Sequence, residues 1–234
     1  METVAETAST NADMKARALN GADEGFWLRA EKQSGGIGRL GRKWESPEGN
    51  LYCSTMVVCR AEDPQPSTLS FVAAVAVHKA ISAHVPHDDI RLKWPNDILV
   101  SGHKICGILL ERSGEAVVVG IGVNIAVAPQ VEGRIVTSLH KEGAEAGLTA
   151  ASFLETLAQY FADAVNEWRQ SGLPAILTAW QERAHPLGTR FSTSDEKGGR
   201  VEGEYAGLSD QGALRLRKAD GALIEIHAGD VDVG

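Results

Sequence analysis

Residues Lys32 to Trp44, KQSGGIGRLGRKW, set four glycines within seven residues and add Lys32, Arg39, Arg42 and Lys43 with no acid among them. That composition suits anion capture. Glycine lets φ go positive, so successive backbone N–H groups can curl around one anion while the guanidinium groups add charge. Gly36, Gly38 and Gly41 also match G-x-G-x-x-G, a pattern that marks a dinucleotide site only where a helix opens at the last glycine. The following residues, RKWESPEGN, contain Pro47, Gly49 and Asn50, which prevent a helix of useful length. The chain also lacks the Gly-Lys-Ser/Thr of a Walker A loop. Two readings of the loop stay open: an anion-binding nest that closes like a lid, or a solvated surface loop.

A second stretch, RLKWPNDILVSGHKICGILLE (91–111), pairs a carboxylate with an ammonium. Pro95 sets a turn after a strand, and a hairpin over Ser101-Gly102 returns Lys104 to the end of the sheet that holds Asp97. The alternative is an ordinary surface ion pair worth under ~1 kcal/mol. Gly107 in mid-strand removes a side chain where a ligand or another backbone can approach closely, and Gly120 and Gly122 in VGIGVNI do the same. Asn124 lies among apolar residues and reads as a core asparagine that needs partners.

Such residues need a frame. Ser9, Thr10 and Asn11 precede an alanine-rich segment ending at Asn20-Gly21, the cap chemistry of a short helix. Residues 25–31 and 51–59 read as strands joined by the glycine loop, and residues 67–85 as a buried helix behind a Ser cap. Strands at 90–94, at 98–100 continuing into 104–111, and at 116–125 are linked by turns short enough to make antiparallel hairpins. A helix from about 149 to 170 carries Phe153, Leu157, Phe161, Ala164 and Trp168 on one face, and Pro174 starts another. From 187 onward short alternating runs, broken at Asp210-Gly212 and Asp220-Gly221, predict a small antiparallel β-barrel.

The fold class expected is therefore α+β, a mixed or antiparallel sheet flanked by helices, with a first domain over 1–186 and a second over 187–234. A net charge of −8 argues against a protein that coats nucleic acid or an anionic membrane, which leaves the basic loop for a small anionic ligand. No apolar run spans a bilayer and the N-terminus lacks a signal-peptide pattern, so a cytoplasmic protein is expected. Cys53, Cys59 and Cys106 have no metal-like spacing and read as small buried hydrophobes in a reducing compartment.

ASTN, KQSGGIGRLGRKW, RLKWPNDILV, GHKICGILLE and GIGVNI follow one another in the order and spacing seen in biotin–protein ligases. AGLSDQGALRLR and IHAGDV resemble the C-terminal SH3-like domain of that family. The resemblance covers almost the whole chain. It implies a class II synthetase-like catalytic domain that uses ATP and Mg²⁺ to convert biotin to biotinyl-5′-AMP, with no redox cofactor. A lysine of a biotin carboxyl carrier domain then attacks the mixed anhydride.

By the same resemblance, Lys104, Arg39 and Asp97 are catalytic. Ser9, Thr10, Asn11, Gln33, Ile37, Gly38, Arg39, Lys104 and Gly107 hold biotin. Gly36, Arg39, Arg42, Trp44 and Asn124 hold the nucleotide, and the metal position is open. The family's Gly-Arg-Gly-Arg is Gly-Ile-Gly-Arg here, so Ile37 stands where an arginine is usual, and Leu40 often does too. The STN motif begins nine residues from the start, which leaves no room for a DNA-binding helix-turn-helix and predicts no DNA partner. No membrane partner is expected, and either a monomer or a homodimer fits. The competing readings are a lipoate or octanoyl ligase or transferase of the related fold, and a non-catalytic biotin sensor.

Overall fold

Short runs of β-branched residues alternate along the chain with long alanine-rich apolar segments. A computed structural model, which describes residues 1–133, 135–194 and 199–234, shows how they pack. The first sheet holds β1 (Glu2–Thr7), β2 (Trp27–Gln33), β3 (Leu51–Val58), β4 (Ile90–Lys93), β5 (Asp97–Val100), β6 (His103–Ser113) and β7 (Ala116–Val123). Their order is β1-β2-β3-β7-β6-β5-β4, antiparallel except for the parallel β1–β2 pair.

β1 was not anticipated. Its side chains are all exposed or half-buried, so it carries no strong alternation to read, and only Val4 packs against a buried cluster.

Side-chain parity divides the sheet. Leu51, Cys53 and Val57 of β3 and Val117, Val119, Ile121 and Val123 of β7 join the large core under α2 (Leu69–Ser82) and α3 (Ala150–Gln181). The alternate residues face the other way. There α1 (Thr10–Leu19) covers only one end, where Met14 packs with Leu28, Met56 and Val118. The remainder of that face is left open.

Ser9 caps α1 as expected, accepting from Ala12 N, and Gly21 takes the left-handed φ of 79° beyond its end. The Ser cap expected for α2 is corrected: Pro66–Thr68 form a 3-10 turn, and Thr68 precedes the helix without a side-chain capping bond. The Thr68 hydroxyl instead donates to Gln65 O and accepts from Trp168 Nε1 at 2.9 Å. α3 runs through both expected helices but breaks at Gly172, whose φ of 75° accommodates the start of the Pro174 segment.

The second sheet holds β8 (Arg190–Ser194), β9 (Arg200–Leu208), β10 (Leu214–Arg217), β11 (Leu223–Ile226) and β12 (Val231–Val233) in the order β11-β10-β9-β8-β12. It is antiparallel throughout, but the expected barrel is not closed: among the described residues β11 and β12 are edges. Residues 195–198 of that expected barrel lie outside the described residues.

The second sheet shares the first one's core. Phe191, Leu208, Leu214 and Leu216 join the cluster under α2 and α3, and Trp94 Nε1 donates to Gly212 O at 3.1 Å. A Cβ at Gly212 would lie 2.5 Å from the Phe71 ring, so glycine there permits close docking. Cys53 and Cys106 are buried as read, and burial pushes both thiols well up, while Cys59 is only half-buried.

Candidate active site

The open face of the first sheet is floored by glycine. One row across four strands pairs Tyr52 with Gly122, Gly122 with Gly107, and Gly107 with Asp97. The next row pairs Ser54 with Gly120 and Gly120 with Leu109. With no Cβ at three of these positions the floor is low, and the chain's own side chains settle onto it. A Cβ at Gly122 would lie 2.6 Å from the Trp44 ring, one at Gly107 2.8 Å from it, and one at Gly120 2.2 Å from Asn11 Oδ1. Beside them is a cavity of about 420 Å³, within the usual range for a small-molecule site.

Lys104 reaches this cavity through a bulge. Gly107, Leu109 and Glu111 share one face of β6, so strict alternation would turn Lys104 to the other. The register shift opposite Ile98 and Leu99 inserts one residue, burying Ile105 completely and letting Lys104 line the cavity. Its Nζ lies 2.5 Å from Asp97 Oδ1, each side chain 15% exposed, and 5.5 Å from the Trp44 ring centroid. The pair is therefore largely withdrawn from water, unlike the surface pair weighed as the alternative.

Asn96, next to Asp97, holds the second cation. The Arg39 Nη1 donates to Asn96 Oδ1 at 3.2 Å, while Asn96 Nδ2 donates to Ile108 O at 2.7 Å and fixes the carboxamide on β6. Two consecutive residues after the cis Trp94–Pro95 peptide thus hold cations from segments far apart in sequence.

The glycine segment forms a small hairpin rather than an open nest. Ile37 bridges Lys43, Gly38 N donates to Arg42 O at 2.7 Å, and Leu40 and Gly41 turn the tip at φ 58° and 71°. After a single 3-10 turn at Arg39–Gly41 the chain is extended at Arg42, so the G-x-G-x-x-G match opens no helix. Ile37 is 48% exposed and lines the cavity, whereas Leu40 is 76% exposed and points to solvent.

The second sheet ties this hairpin down. Arg39 donates from both Nη1 and Nη2 to Gly229 O at 3.2 Å and lies 3.5 Å from Asp230 Oδ1, and Arg42 pairs with Asp230 Oδ2. The bond to Asp230 raises the Arg42 pKa above its usual range.

The first turn of α1 closes the opposite end. Thr10 donates through its N–H and its hydroxyl to Gln33 Oε1 at 2.9 and 3.1 Å. Asn11 Nδ2 donates to Glu111 at 2.9 Å, and Asn11 Oδ1 accepts from Ser54 at 2.6 Å.

The structure brings nearly all the expected site residues to one cavity: Ser9, Thr10, Asn11, Gln33, Ile37, Gly38, Arg39, Arg42, Trp44, Asp97, Lys104 and Gly107 line it. Gly36 lies outside this lining, and Asn124 lines the cavity while also bonded to its neighbours. Gly36 sits at the neck of the hairpin, where a Cβ would lie 2.9 Å from Gln33 Nε2 and from Trp44 O, so its part is to let the loop close. Asn124 borders the cavity, and its Nδ2 donates to Thr137 O at 2.9 Å and its Oδ1 accepts from Asn50 at 3.5 Å. It is a satisfied interior asparagine.

Sequence reasoning missed Asp230, Glu111 and Asn50. The buried Asn50 accepts the N–H groups of Ile125, Ala126 and Val127 at 2.9, 3.0 and 3.0 Å and shapes the wall after β7. Its position between Gly49 and a strand gave no signal for this. Glu111 was visible only by parity, as the residue four along from Gly107 on the cavity face.

Residues 5–127 match the model of the biotin/lipoate A/B protein ligase family, and residues 194–234 match that of the biotin protein ligase C-terminal domain. A biotin–[acetyl-CoA-carboxylase] ligase of Paracoccus denitrificans is 37% identical over 99% of both chains. The biotin protein ligase of Aquifex aeolicus, solved in complex with biotin and ATP, superposes with a TM-score of 0.86 at 26% identity over 100% of this chain and 97% of that one. The Leishmania major enzyme in complex with biotinyl-5-AMP gives a TM-score of 0.70 at 25% identity, covering 97% of this chain and 98% of its own. Agreement of this extent in sequence, in backbone and in both parts of the chain places the protein among the biotin–protein ligases of the biotin/lipoate A/B protein ligase family.

Proposed function

We propose that this chain activates biotin with ATP to biotinyl-5′-AMP and transfers the biotinyl group to a lysine of a biotin carboxyl carrier domain in the cytoplasm. The observation that carries the reading is the Asn96-Asp97 pair, which sets the Arg39 guanidinium and the Lys104 ammonium beside one glycine-floored cavity.

In the first half reaction a biotin carboxylate oxygen attacks the α-phosphorus and pyrophosphate leaves. Two anions must meet. Lys104 and Arg39 lower that repulsion where charge accumulates, each on the scale of ~3 kcal/mol for one preorganised donor. Thr10, Asn11 and Gln33 receive the ring end of biotin, and Trp44 covers the floor beside Lys104, between the vitamin and the nucleotide. Gly38 and Ile37 act through the hairpin backbone, which makes the loss of an arginine at 37 tolerable.

In the second half reaction the carrier's amine attacks the acyl carbon, AMP leaves and the amine loses a proton. Asp97, already paired with Lys104, is the carboxylate placed to receive that amine as it arrives.

Mg²⁺ takes oxygen ligands, usually one or two carboxylates with substrate phosphates, and the Asp97 carboxylate in the cavity lining is a donor of that kind. The ion would offset phosphate charge. We assign the catalytic domain to 1–186 and the SH3-like module to 187–234, the module contributing Gly229 and Asp230 as the tether of the glycine hairpin.

The test is ATP-dependent transfer of labelled biotin onto a purified carboxylase carrier fragment, run beside lipoate and octanoate. Labelling with biotin alone is expected. Adenylate formed only from lipoate or octanoate would overturn the assignment, as would biotinyl-5′-AMP formed without transfer.

A further inference from the structure

Asn11 is held from both sides. Its Nδ2 lies 2.9 Å from Glu111 Oε2 and its Oδ1 lies 2.6 Å from Ser54 Oγ, while its side chain rests on the bare Cα of Gly120. Glu111 is anchored in turn by Lys15, one turn along α1, at 2.6 Å to Oε1. These partners are not equivalent. A hydroxyl can donate or accept, so Ser54 tolerates either orientation of the carboxamide, whereas an ionised carboxylate only accepts. Burial pushes the Glu111 pKa up, but the bonds from Lys15 and Asn11 outweigh it and hold the pKa below the ordinary value, so the group is charged at neutral pH.

We propose that Glu111, braced by Lys15, is a positioning residue that fixes the Asn11 carboxamide with its oxygen toward Ser54 and one amino hydrogen left for an acceptor on the ligand. A flipped carboxamide would set Oδ1 against the carboxylate. The row continues beside it: Ser54 Oγ also lies 2.8 Å from Thr10 Oγ1, and Thr10 meets Gln33 Oε1. A carboxylate outside the cavity lining thus sets the Asn11 donor inside it. The chemical class this end receives is a hydrogen-bond acceptor such as the carbonyl of a cyclic urea.

This inference rests on the reading of the cavity as a biotin site, and its test separates the two. Biotin binding is measured by calorimetry for the wild type, Glu111→Gln, Asn11→Ala and the double variant, with KM and kcat for both substrates. Glutamine keeps the shape but pairs with a carboxamide in either sense. Glu111→Gln should weaken biotin binding about tenfold, on the scale of one charge-assisted hydrogen bond. KM for biotin should rise, with kcat and KM for ATP unmoved. Because Glu111 acts through Asn11, the double variant should bind no more weakly than Asn11→Ala alone.

Lys15→Met, at a half-exposed position, should shift binding in the same direction by about threefold, and it carries the test if Glu111→Gln does not fold. Additive losses, or biotin affinity unchanged in both Glu111→Gln and Lys15→Met, would overturn the role of Glu111 and leave the ligase reading standing. A wild type that binds no biotin would overturn both.

Discussion

The two cations of the candidate site are held by different kinds of structure. Lys104 stands on β6, at a bulge in a strand paired on both sides, with its Nζ against Asp97 of the neighbouring strand. Arg39 stands on a half-exposed hairpin held by Asn96, Gly229 and the partly solvated Asp230. One position is set by the sheet, the other by side-chain tethers between the two sheets. The difference teaches where rigidity and motion would be divided: under the proposed function the platform would fix the site of reaction, and the hairpin, held only by side-chain tethers, would be the part to open for substrates and close over a reactive intermediate.

The largest break in this comparison comes from the rigid side. Lys104→Ala removes the cation paired with Asp97, and adenylation should fall about 10²–10³-fold, the scale of losing one preorganised donor. The fold should survive, because the side chain lies at the cavity rather than in the core. The Asp97 carboxylate left behind adds to the loss of rate by repelling phosphate. Adenylation at wild-type rate in Lys104→Ala would remove the residue from the site. Circular dichroism and the thermal midpoint check the fold.

The tethered side should fail differently. Arg39→Gly loosens the hairpin, and biotinyl-5′-AMP should escape to modify bystander lysines. Asp230→Asn removes the charge that holds Arg39 and Arg42 while leaving both guanidinium groups in place. It should raise bystander labelling severalfold, less than Arg39→Gly, in line with the ~1 kcal/mol of a part-exposed ion pair. Mass spectrometry of an added lysine-rich protein reads the leak. Labelling confined to the carrier domain in both variants would mean that the tether does not govern closure.

The same division explains what could be read in the sequence. Lys104 and Asp97 were legible because a hairpin of known turn length fixes register, and the mid-strand glycines gave notice of close approach. What approaches proved to be Trp44 and Asn11, which no local pattern specifies. The bulge that turns Lys104 into the cavity depends on pairing with β5 and leaves no mark in β6 itself. Asp230 was hidden for a related reason: its partners lie nearly two hundred residues earlier, and an aspartate after glycine near the chain end reads as a turn. β1 escaped because an edge strand with little burial need not alternate. Asn124 is legible as a core asparagine that needs partners; it has them in Thr137 and Asn50 and lines the cavity as well, so the geometry fits that reading and a nucleotide contact alike.

The smallest expected effect on the reaction, and the sharpest test of platform against tether, comes from His78. This residue of α2 places Nε2 3.2 Å from Ile90 O of β4 and Nδ1 3.3 Å from Ser82 Oγ. The carbonyl can only accept, so the neutral ring carries its proton on Nε2 and Nδ1 accepts from Ser82. Burial lowers its pKa from 6.5 to about 4; the Ile90 bond opposes the shift, and the charges of Arg183 and Arg91 add to it. As pH falls below 6.5 the unfolded chain binds the proton first, so stability is lost between about 6.5 and 4, on the order of 3 kcal/mol in all. Glu24 behaves oppositely in origin: its bond from Arg169 lowers its pKa below 4.5, so the stability it gives is lost only at more acid pH. Urea unfolding at pH 7.5 and 5.5 should show the loss in the wild type and a flatter response in His78→Gln, which keeps a donor for Ile90 O but cannot take up the proton. Because α2 packs under the strands that carry Asp97 while the arginines of the hairpin stay charged, mild acid should weaken the platform without releasing the tether. An equal pH slope in His78→Gln would place the acid-sensitive contact elsewhere, and a rise in bystander labelling at pH 5.5 would show that the hairpin yields first.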